Sequence, residues 1–477
     1  MADPLDPVAC LIDGDTLVAD GPRHVIIDPY TELPMGATPE AGAELVDRAV
    51  HSAARAQTDW GTVPVDERAD LLDRVAARLD DEAEAIAALV TREMGMPAGL
   101  ARVTQAQLPA NVLRATAAIA RDGFPWREDG PEAVLLRRGA GVVGAITPWN
   151  MPVHQIIAKV SAAVVAGCTV VLKASEQTPY DALRVAEIFT AAGAPPGVLN
   201  VVTGTGPQTG AALTGHHALS RVSFTGSVRA GRDVARQAAG ALTRASLELG
   251  GKSPAVLLPD ADLDTAVPAV VGSGLVNSGQ ACNATTRLVV PTDRIDEVAD
   301  RIAAAATTFV LGDPADPATT HGPLVTAAAR DAVLARIGTA LAQGGRLITG
   351  TGHKSTVADT GFFVDPTVIA GLAEDAEAVR EEIFGPVLVL QGYSGIDDAA
   401  RIANDSRYGL SAEVWSADPE AAQHFGARLE VGQVKINGVR TRDRVSVPFG
   451  GMRDSGYGRE LGPLGIEEFT DVTAVMA

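Results

Sequence analysis

Apolar positions recur every three or four residues over Ala43–Trp60 ("AELVDRAVHSAARAQTDW") and Glu67–Gly95 ("ERADLLDRVAARLDDEAEAIAALVTREMG"), a spacing that predicts helices with one buried face. The period changes in "EAVLLRRGAGVVGAITPWN" (Glu132–Asn150), which predicts a pair of strands. Its second half is almost wholly apolar, as a strand buried on both faces should be. Strand-like and helix-like runs then alternate: "AGVVGAITP" and "VHQIIAKVSAAVVAG", "TVVLKAS" and "PYDALRVAEIFTAAG", "VLNVVTG", "RVSFTG" and "SVRAGRDVARQAAG". That order predicts a parallel sheet with helices on both faces, a doubly wound α/β domain. A second alternating region, from "DADLDTAVPAVVGSG" to "AEVWSAD", predicts another α/β domain, with the boundary near Gly250 and Gly251.

Composition narrows the function classes. The 477 residues suffice for two or three domains, and 46% hydrophobic with 21% charged is the make-up of a soluble globular protein. Thirty-nine Lys+Arg against 59 Asp+Glu leave a net charge of −20. Such a surface repels phosphate backbones and anionic lipid, so neither nucleic acid nor membrane is expected as a partner. No apolar run reaches the roughly 18 residues that span a bilayer, and "MADPLDPVAC" lacks the basic start and apolar core of a signal peptide. Cys10, Cys168 and Cys282 are odd in number and widely spaced, which argues against disulfides or a metal site and for a cytoplasmic location. Lysine occurs only at 159, 173, 252, 354 and 435, so each marks a place where a compact ammonium is preferred to a guanidinium.

Several stretches carry groups that chemistry could use, each with a plainer alternative. The dinucleotide fingerprint GxGxxG is absent, and "GTGPQTG" (Gly204–Gly210) departs from it by one residue. "FTGSVRAG" ends a strand and opens a helix, placing Gly226 and Ser227 where free N–H groups favour a phosphate, or forming an ordinary turn. "LKASEQTP" sets Lys173 and Glu176 at a strand's carboxyl end, suited to ribose hydroxyls, with Glu176 repelling a 2′-phosphate; the alternative is a solvated turn. "GGKS" (Gly250–Ser253) lacks the upstream glycine of a Walker loop. In "ITPWNMP" the Asn150 amide could face a developing oxyanion or cap the next helix. In "LELGGKSP" Glu248 could be a desolvated general base or the partner of Lys252. Cys282, in "NSGQACNATTR", could fill the core or act as a nucleophile. A helix starting nearby would lower its thiol pKa, and Gly279 would admit a ligand close to the backbone.

In their order and spacing, "TPWN", "KASEQTP", "FTGS", "ELGGKSP", "GQACNA", "EEIFGPVL" and "PFGGMRDSGYGRE" resemble the aldehyde dehydrogenase superfamily, from about residue 25 to the end. The resemblance implies NAD(P)-dependent oxidation of an aldehyde to the acid. Cys282 is then the nucleophile, Asn150 and the Cys282 N–H the oxyanion hole, and Glu248 the base that activates water on a thioester. Lys159 and Glu460 match proton-relay positions. The implied cofactor contacts are Ile146, Trp149, Lys173, Ser175, Glu176, Gly206, Phe224, Gly226, Ser227, Leu249, Glu382 and Phe384, with NAD favoured over NADP and no metal. The implied fold is a Rossmann-like cofactor domain (1–120 and 139–249), an α/β catalytic domain (250–448) and a β oligomerisation extension (121–138 and 449–477), assembled as a homodimer or homotetramer.

The sequence departs from the family pattern at Ala174, Arg453 and Met151, where proline, lysine and an aromatic are common. Arg440, Arg442 and Arg444 lie beside the substrate entrance of relatives, where one could hold the far carboxylate of a semialdehyde or all could be solvated. Two rivals remain: a CoA-acylating relative, against which Glu248 argues, and a silent scaffold, against which Cys282, Glu248 and Asn150 together argue.

Overall fold

The computed structural model describes residues 9–476, so the signal-peptide reading of the first eight residues lies outside the described ones. An eight-stranded sheet runs in the order Asp15–Leu17, Cys10–Ile12, Leu199–Val202, Thr169–Lys173, Val142–Ile146, Arg221–Thr225, Arg244–Glu248, Gly456–Tyr457. Its five central strands are parallel and its flanking strands antiparallel. Every residue of Val142–Ile146 and Thr169–Lys173 is buried, which is why their sequences do not alternate. Val142 and Ile146 face a core shared with Val46 and Val50 of helix Ala43–Trp60. Val143 and Ala145 face the opposite core, with Ile156 and Val160 of helix Pro152–Ala166. That helix is apolar on nearly all sides and ends at Gly167 in the left-handed conformation.

The second sheet has seven strands, ordered Arg346–Thr349, Thr367–Ala370, Val387–Tyr393, Arg287–Pro291, Pro254–Leu257, Ser411–Trp415, Gln433–Ile436. All its pairings are parallel except the first. The chain passes between the two sheets at Gly250–Gly251. Both α/β layers therefore follow the predicted alternation. Among the described residues no helix is long and apolar enough to cross a membrane.

One local expectation changes. The run Glu67–Gly95 forms two helices, Val65–Asp81 and Ala83–Met94, separated at Glu82 (φ −103°, ψ 11°). Asp80, Asp81 and Glu82 oppose the negative end of the first helix dipole, and Glu82 and Glu84 suit the positive end of the second. Both strands expected within Glu132–Asn150 form, as Val134–Gly139 and Val142–Ile146, but in different sheets. Val134–Gly139 leaves the large sheet and pairs instead with Thr470–Val475 and Arg127–Asp129. Its half-buried side chains, with Arg137 among them, and its exposed Arg138 do not suit a fully covered strand. The segment 449–477 is divided, because Gly456–Tyr457 joins the eight-stranded sheet while Thr470–Val475 joins the small one.

Candidate active site

Strand register aligns several of the candidate residues. Ile146 pairs with Lys173 and with Phe224, and Thr225 pairs with Glu248, so all lie at the carboxyl edge of the large sheet. Lys173 is buried, and its ammonium donates to Glu176 at 3.1 Å. Ser175 is buried beside it, while Glu176 is partly exposed. Gly226 turns the chain into helix Val228–Gly240, where Ser227 is the N-cap and its hydroxyl accepts the Ala230 N–H at 3.3 Å. A Cβ on Gly226 would lie 2.6 Å from the Phe224 ring. Leu249 is buried against Gly231 of that helix. Gly206 opens the short turn Gly206–Gly210 and is exposed, with open space beside it.

Across the crevice Trp149 meets Phe384 edge-on at 5.6 Å. Phe384 holds a left-handed backbone (φ 57°), a strained state for an aromatic residue. The Glu382 carboxylate accepts the Gly251 N–H at 3.0 Å and lies against Gly250; burial pushes its pKa up to about 7. These groups fit a dinucleotide. Lys173 has three donors, of which Glu176 takes one, leaving N–H groups for hydroxyls. The helix N-terminus and the open ground at Gly206 leave room for phosphates.

A cavity of ≈ 320 Å³ brings Asn150, Cys282 and Glu460 together, with Met151, His154 and Phe449 among its walls. No helix begins at Cys282, which corrects the expectation of a dipole-lowered thiol. The residue sits in a turn after Val276–Gly279, and its thiol is pushed up to about 12 by burial and by the carboxylates of Glu382, Glu248 and Glu460. The Asn283 backbone N–H pulls the other way, and Asn283 itself lines the cavity.

The loop before Cys282 is strained and strapped. Asn277, Ser278 and Gly279 have successive φ values of 51°, 56° and 74°. Asn277 Nδ2 donates to the Asn150 carbonyl at 3.0 Å, and Ser278 Oγ to the Gly322 carbonyl at 2.7 Å. Gln280 Oε1 accepts the Val325 N–H at 3.0 Å. Gly279 does not serve a ligand in this geometry. A Cβ there would collide with the Gly385 carbonyl, so the glycine admits a neighbouring backbone.

Asn150 does not cap the following helix, whose N-cap is Met151. Its Nδ2 donates to the Gln280 carbonyl at 2.8 Å, leaving one amide hydrogen at the cavity wall. Glu248 is buried, and neither oxygen has a hydrogen-bond partner. The alternative pairing with Lys252 does not form; the Lys252 ammonium is itself buried without a partner, and burial lowers its pKa to about 7. Burial first, and Glu460 second, hold the Glu248 carboxyl well above the usual carboxylate range, against the pull of Lys159. Gly450 packs on this carboxylate, where a Cβ would lie 2.6 Å from Glu248 Oε1. Lys159 is ion-paired with Glu460 and donates to Thr225 Oγ1 at 2.7 Å.

His154 was not singled out by its motif. It lies on the cavity wall, neutral, because burial lowers its pKa to about 4, and its Nδ1 has no partner. Its place a helical turn beyond Asn150 was the available signal. Of the three arginines, Arg440 and Arg442 line the cavity and Arg444 does not. Arg440 donates to the Ala269 carbonyl at 3.3 Å, and the exposed Arg444 to the Asp443 carbonyl at 3.0 Å.

Residues 18–475 match the model of the aldehyde dehydrogenase family. The chain is 41% identical over 467 residues to a 3-succinoylsemialdehyde-pyridine dehydrogenase of Pseudomonas sp, covering 98% of this chain and 97% of that protein. It is 41% identical over 450 residues to a geranial dehydrogenase of Castellaniella defragrans, covering 92% of each. A mutant of aldehyde dehydrogenase C from Pseudomonas syringae, crystallised with NAD+ and octanal, superposes with a TM-score of 0.96 at 38% identity, over 98% of this chain and 96% of that one. The NAD+ complex of a Mycobacterium tuberculosis aldehyde dehydrogenase superposes with a TM-score of 0.96 at 35% identity, over 100% and 99%. The chain belongs to the aldehyde dehydrogenase family.

Proposed function

We propose that this protein oxidises an aldehyde to its carboxylic acid with NAD, through a thioester on Cys282. The observation that carries the assignment is the convergence of three groups. The Cys282 thiol and the Asn150 amide share a cavity wall, and the buried, unpartnered Glu248 carboxylate lies close enough to raise the thiol's pKa. The Cys282 thiol gives up its proton to solvent, and Sγ bonds to the aldehyde carbon. The free amide hydrogen of Asn150 and the Cys282 N–H hold the developing oxyanion. A bound NAD supplies the acceptor for the hydride that leaves this carbon. Glu248 then takes a proton from water as that water attacks the thioester, and the acid departs with the thiol restored. Lys159 and Glu460 form a buried route that could carry the proton away from Glu248.

For the cofactor, Lys173, Ser175 and Glu176 would hold the adenosine ribose, and Glu176 would repel the extra phosphate of NADP. Ser227 with Gly226, and Gly206 opposite, would border the pyrophosphate. Ile146, Trp149, Phe224, Leu249 and Phe384 would wall the ring systems, and Glu382 would turn from the Gly251 N–H to the nicotinamide ribose. We further infer a cytoplasmic homodimer or homotetramer. The exposed apolar side chains Val472 and Val475 on the outer strand of the three-stranded sheet, with Met476 just after it, support an intersubunit contact. Sedimentation of the full chain tests it; a monomer at micromolar concentration would refute it.

The test of the reaction is product analysis with octanal or geranial, NAD and no CoA. Stoichiometric NADH and free acid are expected. A product that appears only with CoA would overturn the hydrolytic assignment, and no NADH burst with any aldehyde would overturn the activity.

A further inference from the structure

On helix Ala43–Trp60, Asp47 and His51 are one turn apart and share a face. His216 reaches the same place from the segment that leads into strand Arg221–Thr225. The two carriers are fixed by one core, since Val46 and Val50 flank the helical pair and Leu213 and Leu219 flank His216 in the same apolar cluster. The His216 segment is pinned further: its N–H donates to the Leu213 carbonyl at 3.0 Å, and its carbonyl accepts from Leu219 at 3.2 Å.

The Asp47 carboxylate lies between the two rings, one oxygen 3.2 Å from His51 Nδ1 and the other 3.2 Å from His216 Nε2. One donor atom from each of the three residues lies within 4.8 Å of the others. Ligands at about 2.0–2.1 Å around a tetrahedral ion stand about 3.3 Å apart. Each Asp–His contact already has about that length, though to a different carboxylate oxygen, so one ion must draw three donor atoms that now lie within 4.8 Å of one another closer together. The His51 ring is more than half exposed and is free to turn inward.

We propose that Asp47, His51 and His216 bind a divalent transition-metal ion of the zinc, nickel or copper kind. Two imidazoles and a carboxylate select such ions over magnesium or calcium, which take oxygen ligands. Binding has a defined cost. His216 Nδ1 accepts the Ala218 N–H at 3.2 Å, so Nε2 carries the ring proton toward Asp47. Metal capture at Nε2 moves that proton to Nδ1 and gives up the Ala218 contact. His51 Nδ1 likewise leaves the Asp47 carbonyl, 2.9 Å away. The site is therefore weaker than a four-ligand structural centre. It lies at the amino end of strand Arg221–Thr225, the opposite end from Glu248 and the cavity. A bound ion would staple helix Ala43–Trp60 to the segment before that strand.

Equilibrium dialysis of Zn²⁺ and Ni²⁺ against the full-length Cys282→Ser protein tests this, because that variant removes the competing cavity thiol. One equivalent per chain is expected, with a rise in Tm on loading. His216→Ala and Asp47→Asn should each weaken binding at least about tenfold. His217→Ala, which removes only the ring stacked on His216 at 4.9 Å, should not. No saturable equivalent, or equal affinity in His216→Ala, would overturn the proposal.

Discussion

Cys168 and Cys282 differ in their surroundings far more than in their acidity. Burial pushes the first thiol up to about 11, and burial with three carboxylates pushes the second up to about 12. Cys168 is wholly buried, and its Sγ donates to the Phe469 carbonyl at 3.2 Å. It lines no part of the cavity that holds Asn150 and Glu460. Cys282 faces a cavity with an amide hydrogen and a desolvated carboxylate beside it. A raised pKa therefore does not distinguish a packing cysteine from a nucleophile; the neighbours do.

Exchanging each sulfur is the strongest way to break that contrast. Cys282→Ser should cut aldehyde turnover by at least about 10³-fold while NAD still binds. Cys168→Ser should leave kcat/KM nearly unchanged and lower Tm, because a core position acquires a hydroxyl. Comparable activity loss in both variants would remove the functional difference between the two cysteines. Glu248→Gln comes next: it should slow the steady state by about 10²–10⁴-fold and preserve a single-turnover burst of NADH. Loss of the burst as well would mean that Glu248 acts before the thioester forms.

The same surroundings set the pH response. With its pKa near 12, Cys282 in the cofactor-free enzyme is overwhelmingly thiol at pH 7. Alkylation by iodoacetamide should therefore rise about tenfold per pH unit between 7 and 9, with mass spectrometry placing the label on Cys282 and none on Cys168. A rate already level at pH 7 would refute the raised value. Glu248 provides a finer test. Burial and Glu460 raise its pKa, so the acid limb of deacylation lies above the ordinary carboxylate range. Glu460 raises that pKa and Lys159 lowers it. Glu460→Gln should thus move the limb to lower pH and Lys159→Met to higher pH. Shifts in the same direction would contradict the electrostatic arrangement.

The alternation of strands and helices was legible in the sequence because fully buried strands such as Val142–Ile146 leave an unbroken apolar signature. The motifs likewise marked Asn150, Glu248 and Cys282, since all three lie at strand ends or tight turns with distinctive neighbours. What the residues did not disclose was set by distant contacts. Gly279 reads locally as room for a ligand, but its neighbour is the carbonyl of Gly385, supplied by another part of the chain. The thiol's acidity reads locally as a question of helix dipoles, but Glu382, Glu248 and Glu460 decide it, none of them near Cys282 in sequence. His154 and the cluster of Asp47, His51 and His216 escaped notice because helical periodicity shows which face is buried and not what stands opposite.

The smallest effect is expected at the arginines of the cavity wall. Arg440 lines the wall, yet part of its guanidinium is already engaged by the Ala269 carbonyl. Arg444 lies outside the cavity and is exposed. If Arg440 meets the far carboxylate of a semialdehyde, Arg440→Ala should lower kcat/KM for succinic semialdehyde about two- to fivefold, the worth of a partly solvated charge pair, and leave butanal unchanged. Arg444→Ala should alter neither. Equal losses for both aldehydes in Arg440→Ala would identify the arginine as a wall that packs on any substrate. A selective loss in Arg444→Ala would mean that the loop closes over the substrate in a way that brings Arg444 into the cavity.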